Sequence, residues 1–303
     1  RSFDMSTYDA IVPPTPCSPS PPPPPMGSSS AAHGRAVYRA RLFALLCAVA
    51  GVGLFIGHLR PSQLRFGSSR PPEFDFARSR ALFDLSRLTY CDEDRLKAEL
   101  EAEGDKVVKT FNSPMDTFAV LLEESDGTPV LAFRGSQTSL NVLTDLLSWK
   151  STSSFLCPGC LVHSGFLSSY TSVRPAVLEA AEAYRGRRVV VAGHSLGGAL
   201  AALAAVDLAK EGFETIVYTY GKPRVGNSAF SSYFASLCVE WRVVHGSDPI
   251  SHVPMSAFGY VHEGTEVWLR GGGGGGEAGA AAAAAVQVCR PAPPPGGGGG
   301  GGI

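Results

Sequence analysis

The stretch Val189-Val190-Val191-Ala192-Gly193-His194-Ser195-Leu196-Gly197-Gly198-Ala199-Leu200 decides the fold. Its apolar opening reads as a buried strand, Gly-His-Ser-Leu-Gly as a sharp turn, and the small apolar residues that follow as a helix. G-x-S-x-G between a strand and a helix is the nucleophile elbow, with Ser195 at the tip of a strained turn. The five-residue pattern alone is common by chance, and an ordinary Gly-rich βα turn is the bland alternative. The flanking strand and helix give the match its meaning. Gly193 and Gly197 lack a Cβ, which lets neighbouring backbone approach while the serine holds an unfavourable φ/ψ. The helix after the turn aims its leading N–H groups at negative charge forming near Ser195.

On both sides of the elbow the pattern alternates. Helices are predicted at Glu73 to Tyr90 and Asp92 to Glu103, with Gly104 as the stop. Strands follow at Val107–Phe111, Thr117–Leu122 and Pro129–Phe133, the last two joined by a Ser-Asp-Gly-Thr turn. Helices are predicted at Asn141 to Trp149, Ser168 to Tyr184 and Asn227–Leu237, and strands at Thr215–Tyr220 and Trp241–His245. This order implies an α/β architecture, a mostly parallel sheet flanked by helices, with ligands at the carboxyl ends of the strands where Ser195 lies.

A serine hydroxyl becomes a nucleophile when a histidine takes its proton and a carboxylate orients that histidine. With an elbow of this kind the chain order is Ser, acid, His. Asp248 fits the acid, in the loop Gly246-Ser247-Asp248-Pro249 after a predicted strand; the alternative is a plain turn Asp before Pro. Asp207 lies well into the helix after Ser195 and is expected to be a solvated helix residue. The oxyanion donors are expected from the backbone N–H of Leu196 and from the loop Phe133-Arg134-Gly135-Ser136, where Ser136 offers both N–H and hydroxyl. An ordinary polar turn is the competing reading of that loop.

Composition bounds the rest. The chain has 303 residues, 44% hydrophobic, enough for a sizeable core, and a net charge of −1 with no basic stripe, which argues against nucleic-acid binding. Residues 1–34 carry a Pro/Ser-rich tail, and 271–285 and 291–303 are Gly/Ala-rich segments unable to build a core. The chain opens on Arg1 rather than Met, and both ends are expected to be incomplete or imperfect. Within 35–60 the run Leu42 to Leu59 is eighteen residues long with no formal charge apart from His58. It reads as a signal anchor, with a cleaved signal peptide and a buried core helix as rivals. Arginines on both sides leave orientation undecided. The folded domain spans 61–290. Cys157-Pro158-Gly159-Cys160 lacks the second pair a zinc knuckle needs and does not open a redox helix, so a small structural disulfide in a luminal or extracellular setting fits best.

Phe133-Arg134-Gly135-Ser136 with Asn141 and Asp145, Val162-His163-Ser164-Gly165-Phe166, Gly193 to Gly198, Tyr220-Gly221-Lys222-Pro223-Arg224-Val225-Gly226-Asn227 and Phe258-Gly259-Tyr260-Val261-His262 occur in one order. Over about 75–290 this set resembles the fungal-type triacylglycerol lipases, or lipase class 3, of α/β-hydrolase fold. The resemblance implies Ser195 as nucleophile, Asp248 as triad acid, Ser136 and Leu196 as oxyanion donors, Asp145 as support for the oxyanion loop, and Ser139 to about Phe155 as an amphipathic lid. In that family the catalytic histidine follows the last core strand, in a segment resembling Asp-His then Tyr-Phe. Here Val286-Gln287-Val288-Cys289 is followed by Arg-Pro-Ala-Pro and glycine, so the triad base is expected to be missing. His262 is the substitute-base candidate, His252 fits less well, and His163 and His194 are expected to be structural.

The implied function is a serine carboxylic ester hydrolase acting on acylglycerols at a lipid–water interface through an acyl-Ser195 intermediate, membrane-anchored or secreted, with its catalytic domain luminal or extracellular. It implies no metal or other cofactor. An inactive lipase-fold lipid-binding or scaffold protein is the alternative, and an acyltransferase a third reading.

Overall fold

The computed structural model describes residues 73–136, 149–270 and 286–289. The tail at 1–34, the segment 35–60, most of the proposed lid with its helix and Asp145, the insertion at 271–285 and the tail at 291–303 lie outside the described residues.

The described elements run α1 (Phe76–Leu88), α2 (Glu93–Glu103), β1 (Lys106–Asn112), β2 (Phe118–Glu123), β3 (Pro129–Phe133), β4 (Lys150–Ser151), β5 (Val162–His163), α3 (Ser164–Ala181), β6 (Arg188–His194), α4 (Leu196–Lys210), β7 (Glu214–Tyr220), α5 (Ser228–Leu237), β8 (Val239–His245), β9 (Thr265–Leu269) and β10 (Val286–Cys289). Among the described residues an eight-stranded sheet has the order β1-β2-β3-β6-β7-β8-β9-β10, and β4 and β5 form a separate ribbon. From β3 to β9 every pairing is parallel, and the antiparallel pairs lie at the two edges. This is an α/β-hydrolase sheet.

Both faces of the elbow strand are covered, which is why β6 is apolar throughout rather than alternating. Val189 and Val191 point into a core shared with α3, α4 and α5, through residues such as Tyr170, Leu200, Leu203 and Phe230. Val190 and Ala192 point the other way, into a core shared with Leu82, Phe83, Leu96 and Leu100 of α1 and α2. The small residues of α4 let that helix lie close on the sheet, and nearly every residue in it is buried. Asp75, Asp92 and Asn227 cap α1, α2 and α5 by accepting backbone N–H bonds, and Gly104 ends α2 in the left-handed region at φ +88°.

Three readings are corrected. Helix α3 starts at Ser164, four residues before its predicted start, because the His163 Nδ1 caps it by accepting the Phe166 N–H at 3.3 Å. The sequence reading left 265–269 unassigned, yet Thr265–Leu269 is a core strand whose Glu266 pairs at 2.7 Å with Arg242, its register neighbour on β8. Asp207, expected to be solvated, is fully buried, accepts the Tyr170 hydroxyl at 2.7 Å and takes Nε and NH2 of Arg174 at 2.6 and 2.9 Å. These partners come from α3, ahead of the elbow in sequence, so helical position alone hides them. The predicted Cys157–Cys160 disulfide is present.

Removing the carboxylate at 207 leaves the buried Tyr170 hydroxyl and the Arg174 guanidinium without their partner. Asp207→Ala is expected to destabilise the domain by about 2–3 kcal/mol, read from the urea midpoint, whereas Asp207→Asn retains part of that loss.

Candidate active site

Ser195 has φ +55° and ψ −125°, a backbone state disfavoured for a residue with a side chain. Its amide donates to the Tyr220 carbonyl on β7 at 2.9 Å, and its own carbonyl accepts from Gly198 at 3.0 Å. These bonds hold the turn shut from both sides. The flanking glycines are required by close approach: a Cβ on Gly193 would lie 2.3 Å from the Gly197 oxygen, and one on Gly197 would lie 2.3 Å from the Phe133 oxygen. Leu196 opens α4, so its N–H is among the leading amides with no intrahelical carbonyl to bond.

The loop expected to carry an oxyanion donor arrives from the end of β3. A Cβ on Gly135 would lie 2.6 Å from the His194 oxygen and 3.3 Å from the Ser195 Cβ, so this loop rests directly on the elbow with Ser136 next in sequence. Tyr90, which the sequence reading did not single out, ties the two together. Its hydroxyl lies 2.9 Å from His194 Nδ1, and the Gly135 N–H bonds to the same oxygen. Burial lowers the His194 imidazole to about 4, so the ring is neutral at neutral pH, and with its proton on Nε2 its Nδ1 accepts from the Tyr90 hydroxyl. Burial raises the Tyr90 phenol, which keeps it a donor. The expectation that His163 and His194 are structural agrees with these contacts.

Asp248 follows β8 and caps the 3₁₀ turn Pro249–His252. Its Oδ1 accepts the Ile250 N–H at 2.9 Å, and its Oδ2 accepts the Ser251 hydroxyl at 3.3 Å. A Cβ on Gly221 would meet Asp248 Oδ2 at 2.7 Å and lie 3.9 Å from His194 Nε2, so Asp248 stands beside the elbow across the end of β7. Ser195, Leu196, Ser136 and Asp248 thus lie at the carboxyl ends of three parallel strands, β6, β3 and β8, or in the loops that follow them.

His262 is elsewhere engaged. Its Nε2 bonds to the Ser251 carbonyl at 2.7 Å, and burial with the nearby Arg242 and Lys222 charges drives its basicity far below the ordinary imidazole value. In the described arrangement the ring bonds the loop that carries Asp248 and is a very weak base. His252 is exposed on the same turn. A buried charge cluster also escaped the sequence reading. Lys222 bonds Glu240 at 2.8 Å and also Glu263, all three fully or almost fully buried. Among the described residues no group of three or more His, Cys, Asp or Glu is placed to hold a metal ion, and no helix is long and apolar enough to cross a membrane.

The fold and site define an α/β-hydrolase with a serine at the nucleophile elbow. The family described as Lipase (class 3) matches residues 130–258. A secreted mono- and diacylglycerol lipase A of Penicillium cyclopium is 36% identical over 179 residues, covering 56% of this chain and 58% of that protein. The structure of a triacylglycerol lipase whose catalytic centre is a serine-protease triad matches at 33% identity and TM-score 0.58, covering 64% of this chain and 79% of the other. A lipase from Rhizopus microsporus var. chinensis matches at 34% identity and TM-score 0.58, covering 71% and 79%. The chain belongs to the class 3 lipase family. It spans 58% of the length of the Penicillium relative.

The depressed His194 predicts a pH dependence. The folded ring, near 4, stays unprotonated where an unfolded imidazole, near 6.5, takes up a proton. Its contribution is therefore present above about 6.5 and is lost as pH falls toward about 4. Urea midpoints measured across that window are expected to decline less steeply in His194→Gln than in the unsubstituted protein.

Proposed function

We propose that this chain is the catalytic domain of a serine carboxylic ester hydrolase acting on acylglycerols. The observation that carries the reading is the strained Ser195, with Leu196, the Gly135–Ser136 loop and Asp248 gathered around it. The family membership and the lipase activities for which its relatives are named support the same chemistry. In this reading the Ser195 oxygen attacks the ester carbonyl while its proton passes to an imidazole oriented by Asp248. The family resemblance assigns that imidazole to a position beyond the last core strand, and neither His194 nor His262 supplies it. The carbonyl electron pair collects on oxygen, facing the Leu196 N–H and Ser136. Collapse of the tetrahedral species expels the alcohol, which takes the proton from the imidazole, and leaves acyl-Ser195. Water then repeats the sequence and releases the fatty acid.

Substrate at a lipid surface is part of the proposal. Segment 139–155 is assigned as the lid; Trp149, at the border of its described part, is 89% exposed, an indole offered to an apolar phase. The Cys157–Cys160 disulfide and the secreted relatives support an extracytoplasmic location. The segment 35–60 is assigned as its signal anchor or signal peptide.

In the full-length protein, Ser195→Ala is expected to lower kcat for emulsified acylglycerol by several orders of magnitude and to abolish labelling by a fluorophosphonate, with an unchanged urea midpoint. A folded chain that binds lipid vesicles without turnover or labelling would instead support the lipid-binding scaffold. Activity across the critical micelle concentration of a soluble ester is expected to rise at the transition, because an opened apolar lid gains burial only where an interface exists. Trp149→Ser is expected to reduce that rise.

A further inference from the structure

His262 sits at the meeting of two networks. On one side its Nε2–H donates to the Ser251 carbonyl at 2.7 Å, and the Ser251 hydroxyl donates to Asp248 Oδ2 at 3.3 Å. The other side of the ring is sealed: Nδ1 is buried and has no hydrogen-bond partner among the described residues. This segment is pinned twice, at its backbone by the Ser231 hydroxyl on the His262 carbonyl at 2.9 Å and at the Glu263 side chain by Lys222. Lys222 also bonds Glu240 at 2.8 Å, Glu240 accepts the Thr219 hydroxyl at 2.8 Å, and the Lys222 stem lies where a Cβ on Gly198 would be 3.1 Å away. One buried cation thus joins the first turn of α4, the strand that carries the acid, and the segment that carries His262.

We propose that His262 is a positioning residue for the triad acid, holding the Ser251 turn so that Ser251 fixes the rotation of the Asp248 carboxylate. The inference rests on the ester-hydrolase reading of the site. A histidine suits this task because its surroundings allow one state. The groups facing the ring are Lys222 and Arg224 from the connection after β7, Arg242 and Glu240 from β8, and Glu263 beside it in sequence. A second proton would go to the sealed Nδ1 among three cations. The ring therefore stays neutral with its proton on Nε2, and the bond to Ser251 persists through the pH range of catalysis. The unpartnered Nδ1 is the cost of that single-tautomer donor.

The test compares His262→Gln, which keeps an N–H donor, with His262→Leu, which has none, in the full-length protein and beside Ser195→Ala. For His262→Leu the expected result is a kcat about tenfold to a hundredfold lower at nearly unchanged KM, the size of effect of a misplaced catalytic group. The acid limb of its pH–rate profile is expected to move to lower pH, because an imidazole without a well-placed carboxylate is less basic. His262→Gln should recover most of the loss and restore the limb. If both variants fall to the level of Ser195→Ala, His262 is the base and the proposal is overturned. If His262→Leu matches the unsubstituted protein in rate and profile, it is overturned as well. Should His262→Leu fail to fold, Ser251→Ala is expected to lower kcat and shift the limb in the same direction, and unchanged behaviour there counts against the proposal. If the unsubstituted protein shows no turnover, the hydrolase reading fails separately. The 15N shifts of His262 still decide its placement: a neutral, Nε2-protonated ring from pH 4 to 9 supports it, and titration near the ordinary imidazole value of about 6.5 overturns it.

Discussion

The close approach of three backbones at the elbow is the constraint on which the rest depends. The end of β6, the first turn of α4 and the end of β3 meet with less room than one methyl group requires: Gly193 faces Gly197, and Gly197 faces Phe133 and Arg134. Because the turn is closed by backbone bonds to Tyr220 and Gly198, Ser195 is held at φ +55°. Strain of about 1–3 kcal/mol at one residue persists only when its surroundings over-determine it. Here two apolar cores, one on each face of β6, supply that rigidity.

The same compression sets the chemistry. Bringing β3 against α4 lays Gly135 on the elbow and delivers Ser136 beside the leading amides of the helix. Closing the elbow onto β7 brings Gly221 beside Asp248, and the absence of a side chain at 221 makes room for the carboxylate. Around these groups lies a shell of buried polar contacts. Tyr90 joins the oxyanion loop to His194, Asp207 ties α3 to α4, and Lys222 joins β8 to the segment of His262. In a medium of low dielectric constant such contacts tolerate few geometries, so they orient the site as well as hold it.

Local signals made much of this legible. Covered strands showed as apolar runs, capped helices began after Asp or Asn, and glycine marked the close approaches of the elbow. The segments of the candidate nucleophile, acid and oxyanion loop could be read because each is short and has its own turn chemistry. Asp207 was misjudged, and the Lys222–Glu240 ion pair and the Tyr90 bridge passed unnoticed, for the opposite reason. Their partners are 33, 18 or 104 residues away in sequence, and nothing near them differs from an ordinary charged or aromatic position.

The sequence by itself therefore determined the strand–turn–helix with Ser195 at its tip, the parallel sheet around it and the segments that carry Asp248 and Ser136. Backbone sterics and hydrophobic periodicity act within a few residues and leave their pattern in the chain. Only the tertiary structure decided that Asp207 is a buried anchor, that Tyr90 bridges elbow and oxyanion loop, and that His262 turns toward Ser251 among Lys222, Arg224 and Arg242. Burial and charge proximity are properties of what surrounds a residue, and those surroundings exist only once distant strands have been brought together.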